Sequence, residues 1–288
     1  MSPVLSTAFS ARSVRNRSAD KPNEDAWTAH VGDSGAVFAV TDGVTHDRDA
    51  EGHYPVPSPG AHAAHLVARS LVYALTGPVG LPDVAGAFRM ANGAIERVNR
   101  ARGVWDACDY GQHDLWCAVA TAVVIHGTVV TWGHVGDTFL LHLPAKGGLV
   151  LCTPDQVMAA EQYRDAPLSE ARAVPGTPHT FARQFLRNKP DSPAPYYALT
   201  GETVACEHMA TGTLYVSAGD RLALLSDGVV SLRSMGADGT PDWSKLETWL
   251  RLPHLDDAVD GLVAAVEEHD IGVGARSDDK TVLLAQFA

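Results

Sequence analysis

The sequence predicts an α+β fold, a four-layer α-β-β-α sandwich of two antiparallel sheets with helices on their outer faces. Three observations predict it. Short apolar, β-branched runs follow one another through the middle of the chain, joined by brief turns. Helical spacing gathers in two blocks, residues 61–102 and 244–269. Strand and helix do not alternate in the regular way of a doubly wound parallel sheet. Strands joined so closely are antiparallel neighbours, because a parallel pair needs a crossover of about a dozen residues.

Taken in order, residues 1–24 are polar and open with a flexible tail over residues 1–11. Ala26–Val31 and Ala36–Thr41 read as a hairpin, with Gly32-Asp33-Ser34-Gly35 as its turn. Residues 44–60, rich in His, Asp and Pro, form a loop. Ala61–Leu75 is a helix through Ala64, Leu66, Val67, Leu71 and Leu75. Ala87–Arg102 is a second, closed by Gly103. Strands follow at Leu115–Ile125, Thr128–Val135, Thr138–Leu143 and Leu149–Cys152. Residues 153–195 are polar and Pro-rich, with short helical patches at Ala159 and Phe181, and read as an inserted flap. Strands at Tyr196–Leu199, Leu214–Val216 and Leu222–Leu225, helices at Ser244–Leu250 and Asp256–His269, and a last strand at Thr281–Phe287 complete the chain. With no internal repeat or low-complexity linker, residues 1–288 count as one domain.

Composition removes several functions. The net charge of −12 argues against sequence-independent nucleic-acid binding, which needs a basic face. No run is long enough to cross a bilayer, and Met1–Ser18 lacks the apolar segment of a secretory signal. Cys108, Cys117, Cys152 and Cys206 are scattered, as free thiols in a reducing cytoplasm would be.

Gly35–Gly43 organises the remainder. A buried apolar run ends in Asp42-Gly43, and Arg221–Gly228 repeats the design with Asp227-Gly228. Asn23-Glu24-Asp25, Gly136-Asp137 and Asp278-Asp279 add acids beside apolar runs. One Asp-Gly pair is ordinary turn chemistry. Several acids tied to strand edges suggest a shared site for hard divalent cations, which prefer carboxylate oxygen and retained water. A pair of such ions can turn water into a nucleophile for phosphorus. The chain has no Gly-x-Ser-x-Gly, Walker or His-Glu-x-x-His signature.

Asn23-Glu24-Asp25-Ala26, Thr41-Asp42-Gly43, Gly133-His134-Val135-Gly136-Asp137-Thr138, Ser226-Asp227-Gly228 and Asp278-Asp279-Lys280-Thr281 occur in the order found in metal-dependent Ser/Thr protein phosphatases of the 2C type. Ala198-Leu199-Thr200-Gly201 resembles a segment of the bacterial members. The resemblance spans residues 12–288. It implies a β-sandwich flanked by helices and a hydrolase that removes phosphate from phosphoserine and phosphothreonine with Mg²⁺ or Mn²⁺. By resemblance, Asp42 bridges two ions and the Gly43 carbonyl binds the first. Asp25, Asp227 and Asp278 serve the second, and Asp137 joins Asp227 at a third. The implied partners are a phosphorylated protein substrate and a cognate Ser/Thr kinase, with no nucleic acid or membrane.

The chain departs from that pattern in three places. Lys21 or Arg17 stands where an Arg usually grips the substrate phosphate, and Lys lacks the bidentate fork. The loop after Gly43 runs Val44-Thr45-His46, and Asp279 takes the place of an Asn. Asp279 is expected to cap or solvate the start of the last strand. His46 is weighed as a proton donor against an ordinary loop His, with His53, His62 and His65 as weaker candidates. Arg183 and Arg187, one helical turn apart, read as a solvated face, with contact to an acidic or phosphorylated substrate as the alternative. Trp105, Trp116 and Trp132 read as packing. Lys21 and the 44–60 loop also motivate a rival function, a pseudophosphatase that only binds phosphoproteins. A third is an aspartyl-phosphate phosphotransferase on a parallel sheet, with Asp42 as nucleophile.

Overall fold

The computed structural model describes residues 5–16, 20–33, 35–77, 83–111, 113–166, 177–235, 241–274 and 278–288. The chain opens with strands β1 (Thr7–Val14), β2 (Asp25–Gly32) and β3 (Gly35–Gly43). Helices α1 (Pro59–Leu75), α2 (Val84–Ala101) and the short α3 (Val104–Ala107) follow. Next come β4 (Ala118–His126), β5 (Val129–Val135), β6 (Phe139–Leu143) and β7 (Val150–Leu151). Then come α4 (Met158–Asp165), α5 (Pro178–Phe185) and α6 (Val204–Glu207), with β8 (Ala210–Tyr215) and β9 (Arg221–Leu225). A 3-10 helix at Asp227–Leu232 precedes β10 (Ser234–Met235) and β11 (Pro241–Asp242). Helices α7 (Ser244–Leu250) and α8 (Leu255–Val273) lead to β12 (Lys280–Phe287).

The two large sheets have strand orders β2-β3-β4-β5-β8 and β1-β12-β9-β6-β7. Every pairing within them is antiparallel, which removes the parallel-sheet phosphotransferase. The two-residue period of a strand sorts each side chain to a face. Phe38 and Val40 of β3 point inward and meet Leu224, Leu283 and Phe287 of the other sheet. Val37 and Ala39 point outward, under Leu71 of α1 and Phe88 of α2. On the far side, Leu141, Leu225 and Val282 pack beneath Leu246 of α7 and Leu262 of α8. These strands are apolar on both faces because both faces are covered.

The structure corrects three sequence expectations here. Residues 7–14 are a strand rather than a tail, registered on β12 from Thr7↔Phe287 to Val14↔Lys280. Phe9 packs at a tilt against Phe38, 5.3 Å between ring centroids, so an otherwise polar segment is held by distant partners. Residues 196–199 form two isolated bridges, Ala118↔Leu199 and Arg187↔Tyr196, instead of a strand. The third concerns β5 and β6, expected to pair because they are close in sequence. They lie in different sheets, and the chain steps between them at Gly136-Asp137. Gly136 takes φ +98, and a Cβ there would stand 2.2 Å from Val119, so the step requires glycine.

Candidate metal centre

The crossover and the strand ends bring the acids together. Asp25 begins β2 and lies directly opposite Asp42, near the end of β3. Like charges facing each other across a ladder destabilise it. Asp227 follows β9, Asp278 precedes β12, and Asp137 sits at the step between the sheets. A pocket of about 190 Å³ opens there, lined by Asp42, Gly43, Asp137, Asp227 and Asp278. Gly43 must lack a side chain, because a Cβ would stand 2.0 Å from the Gly60 carbonyl oxygen.

Withdrawal from solvent pushes the Asp42 carboxyl well above the usual carboxylate range, and Asp25, Asp227, Asp278 and Asp137 push it further. Burial and Asp227 do the same to Asp137. Burial likewise raises Asp25, despite a 2.7 Å hydrogen bond from the Ser226 hydroxyl that ties the sheets together. Asp227 is pushed up to about 7 by burial and then by Asp278.

The residues present fit divalent cations. Asp25 Oδ1 and Asp227 Oδ1 are buried with no hydrogen-bond partner, a costly arrangement for oxygen unless a cation meets it. The donor set is hard oxygen throughout. Among the described residues, no three His, Cys, Asp or Glu side chains already close into an ion cage. The carboxylates stand around the pocket walls, as mutual repulsion dictates, and ions that keep several waters need few direct protein ligands.

Lys21 is placed differently from expectation. Its ammonium group is not held out for a phosphate. It donates to Glu24 at 2.9 Å, Thr45 at 3.1 Å, Asp279 at 3.1 Å and Asp278 at 3.3 Å. Burial opposes its charge, but Asp278, Glu24 and Asp279 outweigh burial and raise its pKa. Lys21 is thus an internal counterion of the acidic cluster. Arg17 lies outside the described residues. Asp279 is buried rather than solvated, and accepts from the backbone N–H of Asn16 at 2.7 Å and of Glu24 at 2.8 Å.

Glu24, whose part sequence reasoning missed, is fully buried and anchors the 44–60 loop. It accepts from Lys21, from Thr45 at 2.7 Å, from Tyr54 at 2.5 Å and from Ser58 at 2.6 Å. Ser58 also caps α1 by accepting from the Ala61 N–H. His46 is buried away from the pocket lining, and burial lowers its pKa to about 4, which disfavours the imidazolium form that a general acid needs at pH 7.

Arg183 and Arg187 are buried, which corrects the solvated face. Arg187 donates to Asp114 at 2.9 Å, and Arg183 donates to Asp47 at 2.9 Å and to the Thr45 carbonyl at 2.6 Å. Arg183 bolts α5 onto the loop that follows Gly43, and Arg187 ties the chain just after α5 to Asp114, ahead of β4. As a result α4 and α5 form the far wall of the pocket, contributing Val157, Ala160, Glu161, Arg164 and His179. Glu161, Arg164 and His179 carry no local sequence signal. Only the assignment of residues 153–195 as a flap hints at them.

The four-layer sandwich is shared with bacterial proteins of known structure. The serine/threonine phosphatase PstP/Ppp of Mycobacterium tuberculosis is 21% identical, with a TM-score of 0.64 over 98% of this chain and 99% of that one. The PstP catalytic domain in complex with two manganese ions gives 21% identity and a TM-score of 0.65, over 99% and 100% of the chains. RsbX in complex with magnesium gives 12% and 0.56, over 99% and 100%. At these identities the likeness is one of fold. No curated protein sequence matches. The sequence model of the protein phosphatase 2C family matches residues 12–259, and the chain belongs to that family, whose members are Ser/Thr protein phosphatases.

Proposed function

We propose that this protein hydrolyses phosphoserine and phosphothreonine in protein substrates with Mg²⁺ or Mn²⁺. The observation that carries the proposal is the convergence of Asp42, Asp137, Asp227 and Asp278 on one pocket, with Asp25 facing Asp42 across the ladder and buried carboxylate oxygens lacking partners. The ions held by PstP and RsbX support the choice of metal. Asp42 would stand between two ions with the Gly43 carbonyl beside it, Asp25, Asp227 and Asp278 would complete the second, and Asp137 with Asp227 a third. Bound there, the ions supply an activated water and neutralise the phosphoryl oxygens. Ser226 orients Asp25 through its 2.7 Å hydrogen bond. Lys21 restrains the repulsion among Asp278, Asp279 and Glu24, and Glu24 fixes the loop behind Gly43.

Residues 153–195 act as a flap of a single phosphatase domain. Arg164 and His179 line the pocket 3.5 Å apart, Arg164 in ion pairs with Asp165 and Glu161. Arg164 donates through Nε and Nη2 to the two Asp165 carboxylate oxygens, which orients the guanidinium so that Nη1 points to His179. We assign these two the contact with the substrate phosphate, to which Arg164 Nη1 would offer a charge-assisted donor. The four free cysteines suit the cytoplasm, where a Ser/Thr kinase would supply the substrate. Purified protein should release phosphate from a phosphothreonine peptide with Mn²⁺ and not with EDTA. Equal activity in Asp42→Asn, or none in wild type with Mn²⁺, ends the proposal.

A further inference from the structure

We propose that the cleft between α1 and α2 binds a small organic anion with a planar or apolar body. The cleft encloses about 490 Å³, against about 190 Å³ for the acidic pocket, and falls in the size range of small-ligand sites. Its floor is apolar, formed by Leu66, Ile95, Val98 and Trp116. The Trp116 ring is set in place before any ligand arrives. Asn99 Nδ2 donates to its carbonyl at 2.9 Å, and Asn99 Oδ1 accepts its N–H at 2.9 Å.

The rim is basic, with Arg69 as its charged member. His62, His65 and Arg69 stand at i, i+3 and i+7 of α1, which places them on one helix face. Arg102, at the end of α2, lies 4.0 Å over the Trp116 ring. Burial, then Arg69 and His62, push the His65 pKa down, so these groups feel one another. No acidic side chain among the described residues lines the cleft. Among the described residues, Arg69 and Arg102 form no ion pair, although the chain as a whole carries a net charge of −12. An anion is the missing complement to this cluster, and an apolar or aromatic body is the complement to the floor. The cleft is concave and closed by two helices, which selects a compact molecule over a polymer.

The test uses the full chain and a matched pair of probes, anionic 8-anilinonaphthalene-1-sulfonate and its neutral analogue N-phenyl-1-naphthylamine, followed by fluorescence. The expected result is one saturable site per chain, with the anion bound about tenfold or more tighter than the neutral probe. Arg69 is exposed, so Arg69→Ala should fold normally and weaken the anion about tenfold while leaving the neutral probe unchanged. Leu66→Trp, which fills the cleft, should weaken both. Equal affinity for the two probes, several anions per chain, or no effect of either substitution would overturn the proposal. So would loss of probe binding as the protein is concentrated, which assigns the cleft to a second copy of the chain. All these readings should be the same with EDTA and with Mn²⁺, so they stand apart from the metal centre.

Discussion

Replacing Asp227 by Asn tests the electrostatics of the metal centre with little change of shape. The Asp227 carboxyl is raised from 3.8 to about 7 by burial and by Asp278. A gap of that size corresponds to ~4 kcal/mol of folding free energy lost once the group is ionised in both states. The sign is set by which state holds the proton. Between pH 4 and 7 the folded protein keeps a proton that the unfolded chain has released, so metal-free stability falls as pH rises through about 7. The Asp227→Asn variant carries no such charge. Because Asp227 is only partly buried, screening reduces the gain to ~2–4 kcal/mol at pH 8. For a chain of this length that is a rise in melting temperature of about 4–8 °C. The assay is thermal unfolding at pH 8 in EDTA, repeated with Mn²⁺, where wild type should recover and the variant should not. A variant that melts at or below wild type in EDTA would refute the proposed repulsion.

Wild-type protein in EDTA should lose melting temperature steadily from pH 5 to pH 8, because Asp25, Asp42 and Asp137 are raised as Asp227 is, and saturating Mn²⁺ should flatten that slope. Asp114→Asn leaves the buried Arg187 guanidinium without its counterion, and should cost ~3–5 kcal/mol by urea unfolding. Glu24→Gln replaces an acceptor of four hydrogen bonds with a mixed group, so the 44–60 loop should loosen and trypsin should cut after Arg48 faster than in wild type. Arg164→Ala removes charge-assisted hydrogen bonds worth ~1.5–3 kcal/mol, so kcat/KM for a phosphopeptide should fall about 10–100-fold with Mn²⁺ binding unchanged.

Much of the layer arrangement was legible because it follows from local pattern. The apolar runs ending in Asp42-Gly43 and Asp227-Gly228 declare themselves as buried strands with an acid at the tip. Helices α1, α2 and α8 show their periodicity directly. What was hidden depends on partners far along the chain. Strand β1 is polar and exists through β12, more than 260 residues away. Arg183 and Arg187 look like a wet helix face until Asp47 and Asp114 are brought to them. Lys21 looked like a free cation until four acceptors, two of them from the other end of the chain, closed on it. The step at Gly136-Asp137 was misjudged because proximity in sequence favours pairing, whereas a φ of +98 at Gly136 turns the chain into the second sheet.

The account rests on carboxylates from both sheets holding ions in common at Asp42. A crystal soaked in Mn²⁺ and measured for anomalous scattering tests this most directly. The account predicts two peaks about 3.5–4 Å apart flanking the Asp42 carboxylate, one beside the Gly43 carbonyl and one toward Asp227 and Asp278. An empty pocket at saturating Mn²⁺, or peaks that leave Asp42 untouched, would contradict it.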